Sequence, residues 1–106
     1  MATLEPRIHR MNQQAEYTVR NNPAAGQYEL MVGDAVAGFA AYRDSEQVRE
    51  FPHTVIDPKF RGQGLSNPLI QYALDDTREA GKKVRPSCWA VAGFIDKNPE
   101  YKDLLA

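Results

Sequence analysis

The apolar positions change period along the chain, and each change marks an element. Between residues 17 and 56 they alternate. Tyr17-Thr18-Val19 begins one strand, and Tyr28, Leu30 and Val32 alternate with Glu29 and Met31 in a second. Asn21-Asn22-Pro23-Ala24-Ala25-Gly26 between them has the composition of a turn. Gly33-Asp34 predicts a tight hairpin into a third strand over 35–42, whose small residues allow close approach to its face. Asp44-Ser45-Glu46 turns the chain into a fourth strand over 47–56, in which Pro52 predicts a bulge or a free edge. Over 65–80 the period lengthens to that of a helix. Leu65, Leu69, Ile70, Ala73, Leu74 and Thr77 share a stripe, and Asp75, Asp76, Arg78 and Glu79 are assigned to the outer face. Pro68 falls in the first turn, where its missing N–H costs nothing, and Gly81 suits the residue after the helix. Lys83-Val84-Arg85 predicts a fifth strand and 89–97 a second helix, stopped by Pro99. Residues 1–14 hold no sustained period and read as a tail with room for a short edge strand.

These elements make an α+β fold, a mixed, mostly antiparallel sheet of about five strands with two main helices. The connection from strand four to strand five is expected to be right-handed. At 106 residues the chain is expected to hold one domain over 15–106, after the tail. A net charge of −1 offers no basic field for nucleic acid. The lone Cys88 excludes an internal disulfide, and one Cys with two His is a poor set for structural zinc. Without a leader or a long apolar run, a cytoplasmic protein with no membrane partner is expected. A bare sheet edge leaves a monomer or a weak homodimer open.

The chemistry concentrates where the fourth strand meets the first helix, at Ile56-Asp57-Pro58-Lys59-Phe60-Arg61-Gly62-Gln63-Gly64-Leu65-Ser66. A strand, a Gly-bearing turn and a helix in succession point several N–H groups at one spot, at the positive end of a helix dipole. That arrangement holds a phosphate or pyrophosphate, and Arg61 adds a cation. Three kinds of turn compete. A P-loop fails, because Gly81-Lys82-Lys83 lacks the final Ser or Thr. A dinucleotide fingerprint fits Gly62 and Gly64 but meets Asn67 at its third glycine, and no acid follows about twenty residues on. The third pattern, [QR]-x-x-G-x-[GA], is matched by Arg61-Gly62-Gln63-Gly64-Leu65-Ser66, with Ser66 in place of the last small residue.

That third pattern is the pyrophosphate turn of GNAT-type acetyltransferases, and the wider segment resembles the family's V-x-P-x-[FY]-R-G-x-G. From His53 to Leu105 the chain is similar to a subgroup of small GNAT-like proteins. Its marks are His53-Thr54 before the turn, Pro86-Ser87-Cys88 after the next strand, and Asn98-Pro99-Glu100-Tyr101-Lys102-Asp103-Leu104 near the end. The resemblance implies a GNAT-like sheet splayed at strands four and five, with the pantetheine arm of acetyl-CoA in the gap. It implies that the Ile56 N–H meets the acetyl carbonyl. Gln63, Gly64, Leu65 and Ser66 would bind the pyrophosphate, with Arg61 and Gly62 shaping the turn. A full GNAT domain has two helices between its first two strands and a final strand pair. Here a short turn replaces the helices, so the half that holds the acceptor is nearly bare.

Acetyl transfer needs a positioned thioester, a donor to the developing oxyanion, and proton transfers at amine and thiolate. Counting from the family's helix motif puts Phe94, which has no proton to give, where a Tyr often stands. Cys88 is the substitute, as proton donor or acetyl acceptor; otherwise it is a small buried hydrophobe. His53 is the candidate base by its ordinary pKa, or else a core histidine sharing a face with Phe51 and Val55. The subgroup's His-Thr-Glu has Val55 in place of the acid. Trp89 is expected mainly to pack, and Lys82-Lys83-Val84-Arg85 to meet the 3′-phosphate of CoA or to be a solvated face. Three functions follow. The first is an acetyl-CoA-dependent N-acetyltransferase acting on an unidentified amine, on a small molecule or a protein. The second is a CoA-binding module with little or no activity. The third is a nucleotide-binding or interaction domain without CoA.

Overall fold

In the computed structural model, residues 8–11 and 15–106 are described, and six strands form one sheet in chain order. They are β1 (Ile8–Met11), β2 (Ala15–Asn22), β3 (Gln27–Val32), β4 (Ala35–Ser45), β5 (Val48–Ile56) and β6 (Lys83–Arg85). Each of the first four runs antiparallel to the next, and β6 runs parallel to β5. Helix α1 (Ser66–Glu79) makes the crossover, and α2 (Trp89–Lys97) and a 3₁₀ segment (Pro99–Leu104) complete the chain. The α+β sheet expected from the pattern is therefore present. It gains β1, which pairs with β2 from Ile8↔Thr18 to Met11↔Ala15. The rest of the expected tail, 1–7 and 12–14, lies outside the described residues.

Turn chemistry explains the chain-ordered sheet. Gly33 takes φ 59 in the β3–β4 hairpin and Gly26 takes φ 66 in the β2–β3 turn, conformations that favour glycine. The third predicted strand runs further than its small residues suggested. Asp44 stays in the ladder opposite Arg49, whose Nε and Nη2 donate to its two carboxylate oxygens at 2.7 and 2.9 Å. The turn accordingly moves to Glu46-Gln47.

The first helix buries Leu69, Ile70, Ala73, Leu74 and Thr77 against the sheet, beside Val19, Tyr28, Leu30 and Phe51. Each large aliphatic side chain so buried contributes about 1.5–3 kcal/mol. Asp76 corrects the assigned outer face, since it is only 1% exposed. It stands three residues after Ala73 and seven after Leu69, on the apolar stripe itself. Burial is tolerable because the Tyr28 hydroxyl donates to Asp76 Oδ2 at 2.7 Å, and Arg49 Nη1 donates to that hydroxyl at 2.6 Å. Gly81, at φ 74, ends the helix as its position predicted.

Two irregularities shape the end of the sheet. Between Ala41↔His53 and Arg43↔Glu50 the register slips by one residue, so Phe51 and Pro52 together face Tyr42. This is the bulge that Pro52 predicted. Strands β5 and β6 pair only from Val48↔Lys83 to Glu50↔Arg85. Beyond that point β5 continues to Ile56 while β6 gives way to Pro86, and the strands separate. The outer edge of β6 is not bare, for Leu105 bridges Val84 and the Ala106 N–H donates to Val84 O at 3.0 Å.

Candidate functional site

The site is built around that separation. Asp57 N–H donates to Ala37 O at 2.8 Å, so Asp57 turns its main-chain groups toward β4. Alternation then aims the N–H and C=O of Ile56, and those of Thr54, away from β4 into the gap. Arg61 Nε donates to Ile56 O at 3.0 Å from that side. Arg61 thus ties the turn to the end of β5. Asp57 caps the intervening 3₁₀ turn by accepting from Lys59 N–H at 2.9 Å.

The turn itself has the form of an anion cradle. Gly62 and Gly64 take φ +83 and +69, and a Cβ built on either would meet nothing within 4 Å, so their backbone is open to an incoming group. Leu65, 3% exposed, anchors the turn in the core. No side chain caps α1, and its first turn carries no acid. Among the described residues, the N–H groups of Gln63, Gly64, Leu65 and Ser66 have no acceptor in the protein. Open donors at the positive end of a fourteen-residue helix suit a pyrophosphate.

From Ser66 and Asn67 a cleft of about 470 Å³ continues between α1 and α2, reaching Phe94, Asn98 and Tyr101. Trp89 lines it and is 87% exposed, so the expectation that Trp89 mainly packs is corrected. Its helix is short, and its periodic positions do not tell which side meets a partner. Tyr101 is held on the far wall by donating to Asp75 Oδ1 at 2.7 Å. Burial and that carboxylate push its hydroxyl pKa up to about 12. The Lys82-Lys83-Val84-Arg85 run lies past the opposite end of α1. Lys82 and Lys83 direct their ammonium groups to the carbonyls of Glu46 and Asp103. A meeting with the 3′-phosphate of a nucleotide held at the turn is therefore set aside.

Cys88 lies at the apex of the gap, 7% exposed, immediately before α2. Its N–H donates to Phe51 O at 2.8 Å, the last main-chain link across the gap. Its Sγ faces Thr54 Oγ1 at 3.7 Å. Burial alone would raise the thiol pKa. The N–H groups of Val91, Ala90 and Thr54, with the Thr54 hydroxyl, outweigh it and hold the thiol below its ordinary value. His53 does not share a face with Phe51, because the bulge at Pro52 shifts the alternation. Phe51 is fully buried, whereas His53 is exposed and meets Phe39 edge-on with ring centroids 6.0 Å apart. Cys88 and His53 thus address the gap from opposite faces of the sheet.

Sequence reasoning missed one contact beside the thiol. Glu50 accepts from Ser87 Oγ at 2.5 Å and from Arg43 Nη2 at 3.1 Å. These hydrogen bonds, Ser87 first, hold its carboxyl below its ordinary value. Only the predicted parallel register of strands four and five could have placed the two residues together.

Comparisons with known proteins speak to the family and the fold. The family described as GCN5-related N-acetyl-transferase matches residues 27–104. The chain is 28% identical over 54 residues to protein NATD1 of Bos taurus, covering 51% of this chain and 48% of that relative. To NATD1 of Xenopus tropicalis it is 30% identical over 50 residues, covering 47% and 46%. The chain thus spans about half the length of these relatives. A GCN5-like protein of Staphylococcus aureus, solved by NMR, superposes with TM-score 0.64 at 20% identity over 83% of this chain and 86% of that one.

Proposed function

Because this chain belongs to the GCN5-related N-acetyltransferase family, we propose that it binds acetyl-CoA and transfers the acetyl group to an amine. The observation that carries the reading is the uncapped start of α1, whose open N–H groups adjoin both the strand gap and the cleft. When bound, acetyl-CoA supplies the activated acetyl thioester. Gln63, Gly64, Leu65 and Ser66 bind its pyrophosphate, and Arg61 and Gly62 keep the turn in shape. The cleft beside Trp89 receives the nucleotide half. The N–H of Ile56, aimed into the gap, stabilises the developing oxyanion. Cys88 gives a proton to the departing sulfur from the helix side, and His53 takes one from the amine on the open face. Among the described residues no helix covers the open face, so the acceptor is small and exposed or is a residue of another protein. The reading includes a cytoplasmic setting and a monomer or weak homodimer.

A second reading, a CoA-binding module with little or no activity, draws on Phe94. It lines the cleft on α2 without a proton to give. Calorimetric titration with acetyl-CoA, CoA and NAD tests the binding. Micromolar affinity for acetyl-CoA with NAD silent is expected, and silence with both CoA species would overturn the proposal. Cys88→Ala then separates the two readings. It abolishes transfer with affinity intact if the thiol acts, and a fully active variant removes Cys88 from the mechanism.

A further inference from the structure

Beside the core that surrounds Cys88, a polar contact on the open face of the sheet ties the residue before it to β5. The parallel ladder of β5 and β6 ends at Glu50↔Arg85, and prolines follow on both sides of the gap, Pro52 on β5 and Pro86 after β6. Proline has no N–H, so neither segment can extend the ladder at these positions. Two tethers nevertheless cross just beyond it, from consecutive residues. Cys88 uses its main chain, N–H to Phe51 O at 2.8 Å. Ser87 uses its side chain, Oγ to Glu50 Oε2 at 2.5 Å. Arg43 Nη2, 3.1 Å from the other oxygen of Glu50, holds that carboxylate from β4. Ser87 is exposed, and the Glu50 side chain is a quarter exposed, so this contact adds little to the core. Arg49 and Phe51, its neighbours in sequence, are buried, which puts Glu50 on the open face of the sheet.

We infer that Glu50 and Ser87 are positioning residues that pin the apex of the gap from the open face and so set the attitude of the Cys88 thiol on the other. The inference rests on the reading of Cys88 as the acting thiol. The physical argument is one of leverage. A residue tied at its own N–H, and again through the side chain just before it, has little freedom to swing. Sγ then keeps its place 3.7 Å from the Thr54 hydroxyl, beside the start of α2. With Ser87 released, the segment 86–88 keeps its main-chain bonds, Ser87 N–H to Arg85 O at 3.1 Å, Cys88 N–H to Phe51 O at 2.8 Å and Ala92 N–H to Cys88 O at 3.0 Å. It loses its side-chain tie to β5, so the seat of the thiol against Thr54 loosens.

The test compares Glu50→Ala, Ser87→Ala, the double variant, and Ser87→Thr, which keeps the hydroxyl. The pH profile of Cys88 alkylation by iodoacetamide is measured without any CoA. Acetyl-CoA affinity and kcat are measured beside it, and melting confirms that each variant is folded. Each alanine variant is expected to move the alkylation midpoint up by about half a pH unit or more. Each should lower kcat about tenfold while the Kd for acetyl-CoA stays within about twofold. The double variant should be no worse than either single, because the two residues act as one contact. Ser87→Thr should restore the wild-type profile. An unchanged alkylation profile in both alanine variants overturns the clamp, as does a double variant whose effects simply multiply. If wild-type protein binds no acetyl-CoA, the functional reading falls, and the alkylation profiles still decide whether the clamp exists.

Discussion

Gly64 shows how much a single backbone position can decide. At φ +69 a β-branched residue is strained, yet a Cβ there would meet nothing within 4 Å. Gly64→Val should therefore leave the fold intact and weaken acetyl-CoA binding at least tenfold. Calorimetry together with an amide NMR spectrum checks this; unchanged affinity would put the pyrophosphate elsewhere. Gly38 is the opposite case, crowded by protein and not by ligand. A Cβ there would meet Ile56 Cδ1 at 2.5 Å and Val55 O at 3.0 Å. Gly38→Ala should cost about 1–3 kcal/mol of stability through overpacking. By displacing Ile56 it should also lower kcat more than it weakens acetyl-CoA binding. Thermal melts and steady-state kinetics separate the two effects. Equal losses in kcat and in affinity would detach Ile56 from the chemistry.

At the scale of elements, α1 has a helix start that evolution could have capped and did not. Ser66→Asp puts a carboxylate at the positive end of the dipole, worth about 0.3–1 kcal/mol of stability. The same carboxylate would occupy the place proposed for the pyrophosphate and repel it. The variant should melt higher and bind acetyl-CoA at least tenfold more weakly. A turn that serves only the fold would show the first effect without the second. The element pattern was mostly legible in the sequence because its punctuation is strong. Gly33-Asp34, Gly81 and Pro99 each stop an element near where they stand. The turn 61–66 was legible for the same reason, since two glycines, a strand and a helix leave little choice. What escaped was anything set by register or partner. A one-residue bulge at Pro52 moved His53 to the other face, which alternation cannot reveal. Asp76 looked like a surface acid because its partners, Tyr28 and Arg49, come from distant strands. The Glu50–Ser87 contact spans thirty-seven residues and exists only once β5 and β6 are aligned.

The whole molecule adds a dependence on acid. Four carboxylates, Glu29, Asp44, Glu50 and Asp103, are held below their ordinary values, and the first two sit in networks that join neighbouring strands. Burial alone would raise Glu29, but Gln27, Arg20 and Asn22 outweigh it, with hydrogen bonds of 2.7, 2.9 and 3.1 Å. Asp44 is lowered first by its hydrogen bonds to Arg49. A group whose folded pKa lies below its unfolded one stabilises the fold fully only above the unfolded value. That contribution is lost as the pH falls through the folded value. Stability should therefore be nearly level from pH 7 down to about 5 and fall steeply below about 4. Glu29 is the sharper test, because its side chain is 5% exposed and its network joins β2 to β3. Glu29→Gln removes the titrating proton while keeping an acceptor for Arg20, so it should lower stability at pH 7 and flatten the acid limb. Arg49 stays charged throughout, because Asp44 outweighs the effect of its burial, and the Tyr28 pKa is driven upward by burial and Asp76. Tyr28→Phe, which leaves the buried Asp76 short of one donor, should cost about 1–3 kcal/mol at pH 7. Urea titrations of the wild type and both variants between pH 3 and 7 distinguish these effects. An acid limb in Glu29→Gln as steep as in the wild type would mean that the melting sheet is titrated elsewhere.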